Sequence, residues 1–517
     1  MASSKEQYDE TVSPVDPGVA SQQDDSASED QDKRPAPLSM KIIAIVVISM
    51  IGFGGHWSSG VTGALKSTLK KASGCEMHIN NTQYALLSSS EAFIKLVLIP
   101  ISGPITDRFG GANNMLWGNA VFSLGAILVA AATQVRNYKF MIFGVVVQSF
   151  GDAATQVAQY KLFSAWFPPS AGFASTLGFE LGLGKIGTFV GKATANVIAK
   201  NLGNFSWVYW MAVFMNIFTN VANLFYWWFT RFCEKRYLTS KDPATGEHLK
   251  DRSKKFRFDQ MLRLPWTFWL ICLLTIFQTT VSSIFSSNGT EMAEQRFKTS
   301  AIDAGWYSSL SQFLGFFFVP VVGIFMDIFG HRLTLMFACS VGMLLCMCLA
   351  AFAPTVAGTA ASFAIYAVAT TFGPAPMIDG IRTSMSHHDV FGTAYAIKVT
   401  LNNCMTILVS LIAGVVQDRD NDSYGNVTIL YVVLAACAVL VSLAMVIIGL
   451  SSTTMGILQW GRKKRSENGH IVKEKAETFS TNEWNRKLNI VNFSAVVLLM
   501  AGATAAYFWG IATGRTY

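Results

Sequence analysis

Thirteen apolar stretches, each long enough to cross a bilayer as a helix, succeed one another along this chain and constrain its fold more than any other feature. Crossing about 30 Å of hydrocarbon takes about 20 apolar residues as a helix, and only a helix or a closed barrel satisfies its own backbone there. Runs of that kind fall at 41–63, 84–105, 113–133, 140–163, 172–199, 206–230, 265–287, 303–325, 333–353, 357–380, 390–416, 427–450 and 489–511. The 517-residue chain is 51% hydrophobic and 14% charged, too apolar for a fold that faces water. The expected fold class is all-α and membrane-embedded, with the lipid bilayer as its solvent.

Polar segments group the runs. Residues 1–38 contain the stretch QQDDSASEDQD from Gln22 to Asp32 and are expected to form a disordered cytosolic tail without a cleavable signal. A six-helix half is expected over 39–231, a basic cytosolic linker over 232–264, a second six-helix half over 265–450, a basic cytosolic loop over 451–488, and a thirteenth helix within 489–517. The stretch 231–264 holds ten Lys/Arg, among them Arg252, Lys254, Lys255 and Arg257, and the later loop carries Arg462, Lys463, Lys464 and Arg465. Both fall on one side when the amino terminus is cytosolic, as the positive-inside rule prefers. The net charge of +8 is thus a signature of topology, and no nucleic-acid partner is expected. The sequons at Asn80, Asn204, Asn288, Asn421 and Asn426 fall on the opposite side and are expected glycosylation sites.

Chemistry of other kinds finds no support. The cysteines are scattered without a CxxC pair, the doublet His387-His388 has no further ligands, and no HExxH, GxSxG context or GxxxxGK[ST] loop occurs. No metal and no cofactor are expected, and an enzyme is the least favoured class.

The two halves repeat a pattern. After the second run stands Gly103-Pro-Ile-Thr-Asp107-Arg108-Phe-Gly110, and after the eighth stands Gly323-Ile-Phe-Met-Asp327-Ile-Phe-Gly330-His331-Arg332. Glycine permits close helix approach, and an aspartate there can accept hydrogen bonds from a neighbouring helix end. This frame resembles the gating motif of the major facilitator superfamily, and the resemblance covers roughly residues 40 to 450. It implies a major facilitator fold of two six-helix bundles that rock around a central site. In that reading Gly103, Asp107, Arg108, Gly110, Gly323, Asp327, Gly330 and Arg332 form the gates, with Arg108 or Arg332 pairing across the halves. Plain anchoring of the two loops is the alternative.

Charges within the runs are few, and each costs about 2.5–3.5 kcal/mol to insert at mid-bilayer, so they mark a wet cavity or a partner. The fifth run carries Glu180, Lys185 and Lys192 among five glycines between Gly178 and Gly191. Lys185 and Lys192 lie about 20° apart around the helix and can line one wall of a path. Asp152 on the fourth run supplies an acid. An acid on helix four and a base on helix five suit a zwitterionic substrate, and a structural Asp152–Lys185 ion pair is the alternative. Glu91 and Lys95 have the i, i+4 spacing of an internal salt bridge. His56 beside Trp57 is either a titrating or a structural residue, and Asp379 and Arg382 pair with each other or with a gate.

Gly178 to Thr188, Ala165-Trp166-Phe167, Phe391 to Tyr395, Asn402-Asn403 and Ile412-Ala413-Gly414 together are similar to the lysosomal dipeptide uniporter branch of that superfamily. The resemblance implies that Lys185 binds a peptide carboxylate and a late acid of the fourth run binds the amine. Lys185 stands where relatives favour Arg, a point charge in place of a bidentate fork. Asp152 is displaced by about one position and is shorter than Glu. The expected substrate set is Lys185, Asp152, Glu180, Lys192, His56, Lys398 and Asn403.

These readings predict a secondary transporter of small amphoteric solutes such as dipeptides. A proton- or gradient-coupled carrier of organic anions or secondary-metabolite intermediates is the first rival, and a non-transporting membrane partner or sensor the second. The expected partners are a small-molecule substrate, the bilayer and, on the last reading, an accessory membrane subunit. A vacuolar or lysosomal membrane follows from the resemblance alone, with peroxisomal or plasma membrane as alternatives.

Overall fold

The structure, a computed structural model, describes residues 34–70, 77, 79–169, 172–238, 262–385 and 390–513. Most of the amino-terminal tail, Arg252 to Arg257 of the linker, Cys75 and the His387-His388 doublet lie outside the described residues.

Among the described residues thirteen long helices follow the apolar runs. The first half holds α1 (Leu38–Ala64), α2 (Asn81–Phe109), α3 (Gly111–Val135), α4 (Tyr138–Trp166), α5 (Phe173–Asn201) and α6 (Ser206–Arg236). The second holds α7 (Trp266–Phe297), α8 (Ala301–Phe329), α9 (Arg332–Phe352), α10 (Val356–Ser384), α11 (Phe391–Arg419) and α12 (Gly425–Ser451), and α13 (Glu483–Thr513) follows. α10 breaks at the 3-10 turn Thr370–Phe372 and restarts at Pro374, whose fixed φ suits a first helical position. Away from the helices, Arg34–Pro35 pairs with Tyr237–Leu238 as a two-residue parallel bridge.

Among the described residues twelve helices are long and apolar enough to cross a membrane; α5 is not one of them. Lipid can cover the others, whose outer faces expose large apolar side chains such as Phe214, Val221, Leu440 and Leu498. α5 carries Glu180, Lys185, Lys192 and Lys200 and is held between α1 and α8 instead. Its glycines allow the approach: a methyl group on Gly191 would meet the Trp57 carbonyl oxygen at 2.6 Å, and one on Gly178 would meet that of Val319 at 2.8 Å.

Within the first half α3 packs on α4 and α6 and α1 on α5; within the second α9 and α7 pack on α12. The halves meet along two seams, α5 with α8 and α2 with α11. α13 lies over the second seam. Tyr507 stacks on Phe93 of α2 at 4.5 Å and shares a 2.9 Å hydrogen bond with Ser90, while Gly510 sits against Leu411 of α11. At its other end Asn489 receives the Trp269 indole N–H at 2.6 Å and donates to the Leu264 carbonyl at 2.9 Å, fastening α13 to the start of α7.

Lys235, Arg236 and Arg462 to Arg465 gather at one end, named the cytosolic end after the positive-inside expectation, and the opposite end is named the lumenal end. After α12 the chain turns under the cytosolic end of the second half, where buried Arg332 donates to the carbonyls of Leu458 at 3.2 Å and Trp460 at 2.9 Å.

Candidate functional site

Two adjoining cavities occupy the middle of the molecule. The first, about 310 Å³, lies inside the first half, and Glu91, Lys95, Asp152 and Glu180 reach its wall. The second, about 210 Å³, lies between the halves and is lined by Lys185, Lys192, Gln312, Tyr366 and the serines Ser283 and Ser286. His56, Ser59 and Ser287 border both. α5 spans the pair: Glu180 faces the first cavity and Lys185 and Lys192 the second.

The charges divide between the cavities. Lys185 Nζ donates to Gln312 Oε1 at 2.8 Å and Thr370 Oγ1 at 3.4 Å, and lies 5.9 Å from the Tyr366 ring. Lys192, almost fully buried, donates to the Ser286 carbonyl at 2.5 Å and its hydroxyl at 3.1 Å. Among the described residues no carboxylate lies within ion-pair distance of either lysine. Glu180 is buried beside His56 Nε2 at 3.4 Å and accepts the Tyr160 hydroxyl at 3.3 Å.

Asp152 departs from expectation. Its partner is Lys95 of α2, not Lys185, and Lys95 also holds Glu91 at 2.6 Å as the i, i+4 spacing anticipated. Asp152 and Lys185 line different cavities, so the direct ion pair is corrected. Lys398 and Asn403 of α11 reach neither wall: Lys398 lies 5.6 Å from the Tyr395 ring, and the Asn403 Nδ2 has no hydrogen-bond partner among the described residues.

Cytosolic closure is bridged across the halves. Buried Asp327 of α8 accepts the Ser175 backbone N–H of α5 at 2.8 Å and also its hydroxyl. α5 begins at Gly172, which has no side chain to cap it, so the other half supplies the cap. Gly323 approaches Ala174 and Gly178 here, and on the other seam Gly103 faces Gly392, Thr393 and Ala396 of α11. Phe173 meets Phe391 edge-on at 5.7 Å, and Tyr160 lies 4.6 Å from Tyr395. Gly110 and Gly330 adopt φ of 86° and 80° in the equivalent loops, a conformation that favours glycine.

The arginines of the two repeated motifs differ in environment. Arg332 is fully buried against Asp379 of α10, in its own half, so the pair that Asp379 forms is with this loop rather than with Arg382. Arg108 is exposed and leans over the Phe109 ring at 5.7 Å. The Asp107 side chain lies outside the described residues.

A lumenal bridge was missed by sequence reasoning. Lys66, in the short helix Lys66–Lys70, pairs with Glu291 of α7 at 2.8 Å, and Lys70 pairs with Glu291 at 2.7 Å and Asp422 at 3.1 Å. Asp418 of α11 accepts the backbone N–H groups of Asn81 at 3.1 Å and Thr82 at 3.0 Å, the first turn of α2. Burial alone would lower the Lys70 pKa, but Glu291 and Asp422 outweigh it and hold the ammonium above the usual lysine value. For Lys66 burial wins over Glu291, and the value is lowered. The available signal was helix length: α7 continues to Phe297, beyond the apolar run, and so carries Glu291 to the bridge.

The sequons also sort by environment. Asn288 is buried within α7, accepts the Lys66 ammonium at 2.7 Å and donates to the Tyr431 hydroxyl at 2.9 Å, so its expectation as a glycan site is corrected. Asn80 caps α2 through Gln83 and Asn204 accepts the Ser206 N–H, with Ser206 itself buried. Asn421 and Asn426 are exposed.

The sequence profile of the Major Facilitator Superfamily matches residues 42–408. This chain belongs to that superfamily. As a major facilitator protein it is a membrane transporter of two six-helix bundles. The lysosomal dipeptide transporter MFSD1 of Mus musculus is 22% identical over 448 residues, covering 83% of this chain and 91% of that protein. Its Homo sapiens counterpart is 22% identical over 459 residues, with 84% and 91% covered. Among solved structures, the proton:xylose symporter XylE bound to 6-bromo-6-deoxy-D-glucose superposes with a TM-score of 0.61 at 13% identity, over 79% of this chain and 96% of that one. That likeness concerns the fold.

Proposed function

We propose that this major facilitator protein carries small zwitterionic solutes, dipeptides foremost, across an internal membrane of lysosomal or vacuolar type by alternating access. The observation that carries the reading is the division of charge along α5. On one side Lys185 and Lys192 have no acidic partner among the described residues; on the other, Glu91, Asp152 and Glu180 outnumber Lys95. A solute with a carboxylate at one end and an amine at the other complements both cavities, and buried uncompensated charge makes such a ligand favourable. The amine goes to Glu180 or to the Asp152 group, the carboxylate to Lys185. The organelle and the dipeptide class come from the names of the similar proteins, and exposed Asn421 and Asn426 are the glycan sites consistent with a lumenal end.

A second reading, coupling to a proton gradient, is favoured by one observation: buried Glu180 has His56 and Tyr160 as its near partners rather than a permanent cation. Uptake of labelled dipeptides by purified protein in proteoliposomes, with and without an imposed pH gradient, separates the two. Flux that ignores the gradient and is lost in Lys185→Ala supports the uniporter; flux that follows the gradient and loses that dependence in Glu180→Gln supports coupling. Absence of dipeptide flux under both conditions overturns the dipeptide reading.

A further inference from the structure

The basic cavity holds one more ammonium than a single carboxylate needs. Lys185 and Lys192 are seven residues apart on α5, and both enter the same space of about 210 Å³ between the halves. A relay of three hydrogen bonds joins them: Lys185 Nζ to Gln312 Oε1 at 2.8 Å, Gln312 Nε2 to Ser286 Oγ at 3.2 Å, and Lys192 Nζ to the same Oγ at 3.1 Å. Gln312 and Ser286 belong to the second half and the lysines to the first, so the relay crosses the path a solute must take.

Neutral hydroxyl, amide and carbonyl groups satisfy the hydrogen bonding of these lysines but not their charge. The nearby carboxylate of the same helix, Glu180, is turned to His56 and Tyr160, and Glu91 and Asp152 are occupied by Lys95. Two like charges in one low-dielectric cavity repel each other and are costly to bury, and a ligand with two anionic groups removes both penalties together. A single carboxylate removes one.

We propose that Lys192 is a second anion-binding residue and that the basic cavity selects solutes bearing two carboxylates, such as dipeptides with an acidic side chain. The inference rests on the zwitterion-carrier reading for its amine end, and on the lysine pair alone for its second carboxylate. Each carboxylate accepts hydrogen bonds from one ammonium, with Ser283 and Ser286 as neighbouring hydroxyl donors.

The test compares two solutes of nearly equal size, Ala-Glu and Ala-Gln, as competitors of labelled Ala-Ala uptake into proteoliposomes. A charge-assisted hydrogen bond is roughly twice as strong as a neutral one, so Ala-Glu is expected to compete about tenfold or more better than Ala-Gln. That ratio is expected to collapse towards one in Lys192→Met and to persist in Lys192→Arg. Equal competition in the unaltered protein, or a preference that survives Lys192→Met, overturns the inference while leaving the zwitterion reading intact. Should no dipeptide be carried, thermal stabilisation of the purified protein by glutarate against butyrate tests the lysine pair directly. Stabilisation by glutarate alone, lost in Lys192→Met and kept in Lys192→Arg, sustains it; equal or absent stabilisation overturns it.

Discussion

The Asp418 carboxylate, at the lumenal end of α11, accepts the backbone N–H of Thr82 at 3.0 Å and so caps a helix that belongs to the other half. Asp327 does the same for Ser175 at the cytosolic end of the other seam. In both places an aspartate of the second half satisfies first-turn donors of the first half, where a helix dipole favours negative charge. Opening either end would leave those donors to water, and the two caps are expected to set opposing costs on the two directions of rocking.

Asp418→Asn is expected to loosen the lumenal end. With Ser287→Cys as reporter in the shared wall of the cavities, labelling by an impermeant maleimide from the lumenal side rises several-fold. Asp327→Asn produces the rise from the cytosolic side instead. An unchanged lumenal rate in Asp418→Asn contradicts the gating role.

The Lys70 bridge has a defined pH window. Its pKa is raised in the folded protein, so its contribution to closure is fully present below the unfolded lysine value of about 10.4 and is lost only as pH rises through the folded value. Between about pH 6 and 9 the lysine therefore does not release the lumenal end. Lumenal labelling of the same reporter, divided at each pH by that of a fully exposed thiol, should stay flat across that window and lie higher throughout it in Lys70→Ala; a transition within the window that disappears in Lys70→Ala refutes the assignment.

Removing Arg332 strands the buried Asp379 carboxylate and frees the Leu458 and Trp460 carbonyls, and breaking such a pair costs about 3–5 kcal/mol. Arg332→Ala is expected to lower the melting temperature in detergent and the yield of folded protein. The double substitution Arg332→Met with Asp379→Leu recovers part of the loss, because both charges then leave the interior together. A double variant as unstable as the single one argues against an uncompensated charge as the cause.

Mobility shifts after endoglycosidase treatment check the sequons. Asn421→Gln and Asn426→Gln are expected to remove the shift, and Asn288→Gln to leave it. Asn288→Ala instead deprives Lys66 of an acceptor, a loss of about 1–3 kcal/mol read as a lower melting temperature.

Most of the fold was legible because lipid imposes one rule on every span, and the apolar runs agree with the thirteen helices to within a few residues at most ends. The departures have a common cause. α2, α6 and α7 extend past the apolar run into polar sequence, which carries Glu291 and Asn288 to places that a hydropathy reading assigns to loops. Lys185, Lys192 and Glu180 were readable as charges within the span of a glycine-rich helix. The partner of Asp152 was not, since helical spacing places Lys95 beside Glu91 but does not say which neighbouring helix faces them. The burial of Arg332 was not legible either, because a repeated motif fixes a backbone turn and leaves the side chain to whatever packs beneath it, here the segment after α12.

α13 touches α2 through Tyr507 and α11 through Gly510, and it is tied to the start of α7 by Asn489. It has polar anchors to the second half at Asn485 and Asn489, and to the first half the Tyr507–Ser90 hydrogen bond beside a stacked aromatic pair. When the α2–α11 seam shears, the Tyr507–Ser90 hydrogen bond has to break, while the bonds that Asn489 makes to the start of α7 move with the second half. α13 is thus a clamp over one of the two seams, making the two sides of the transporter mechanically unequal although their helices repeat.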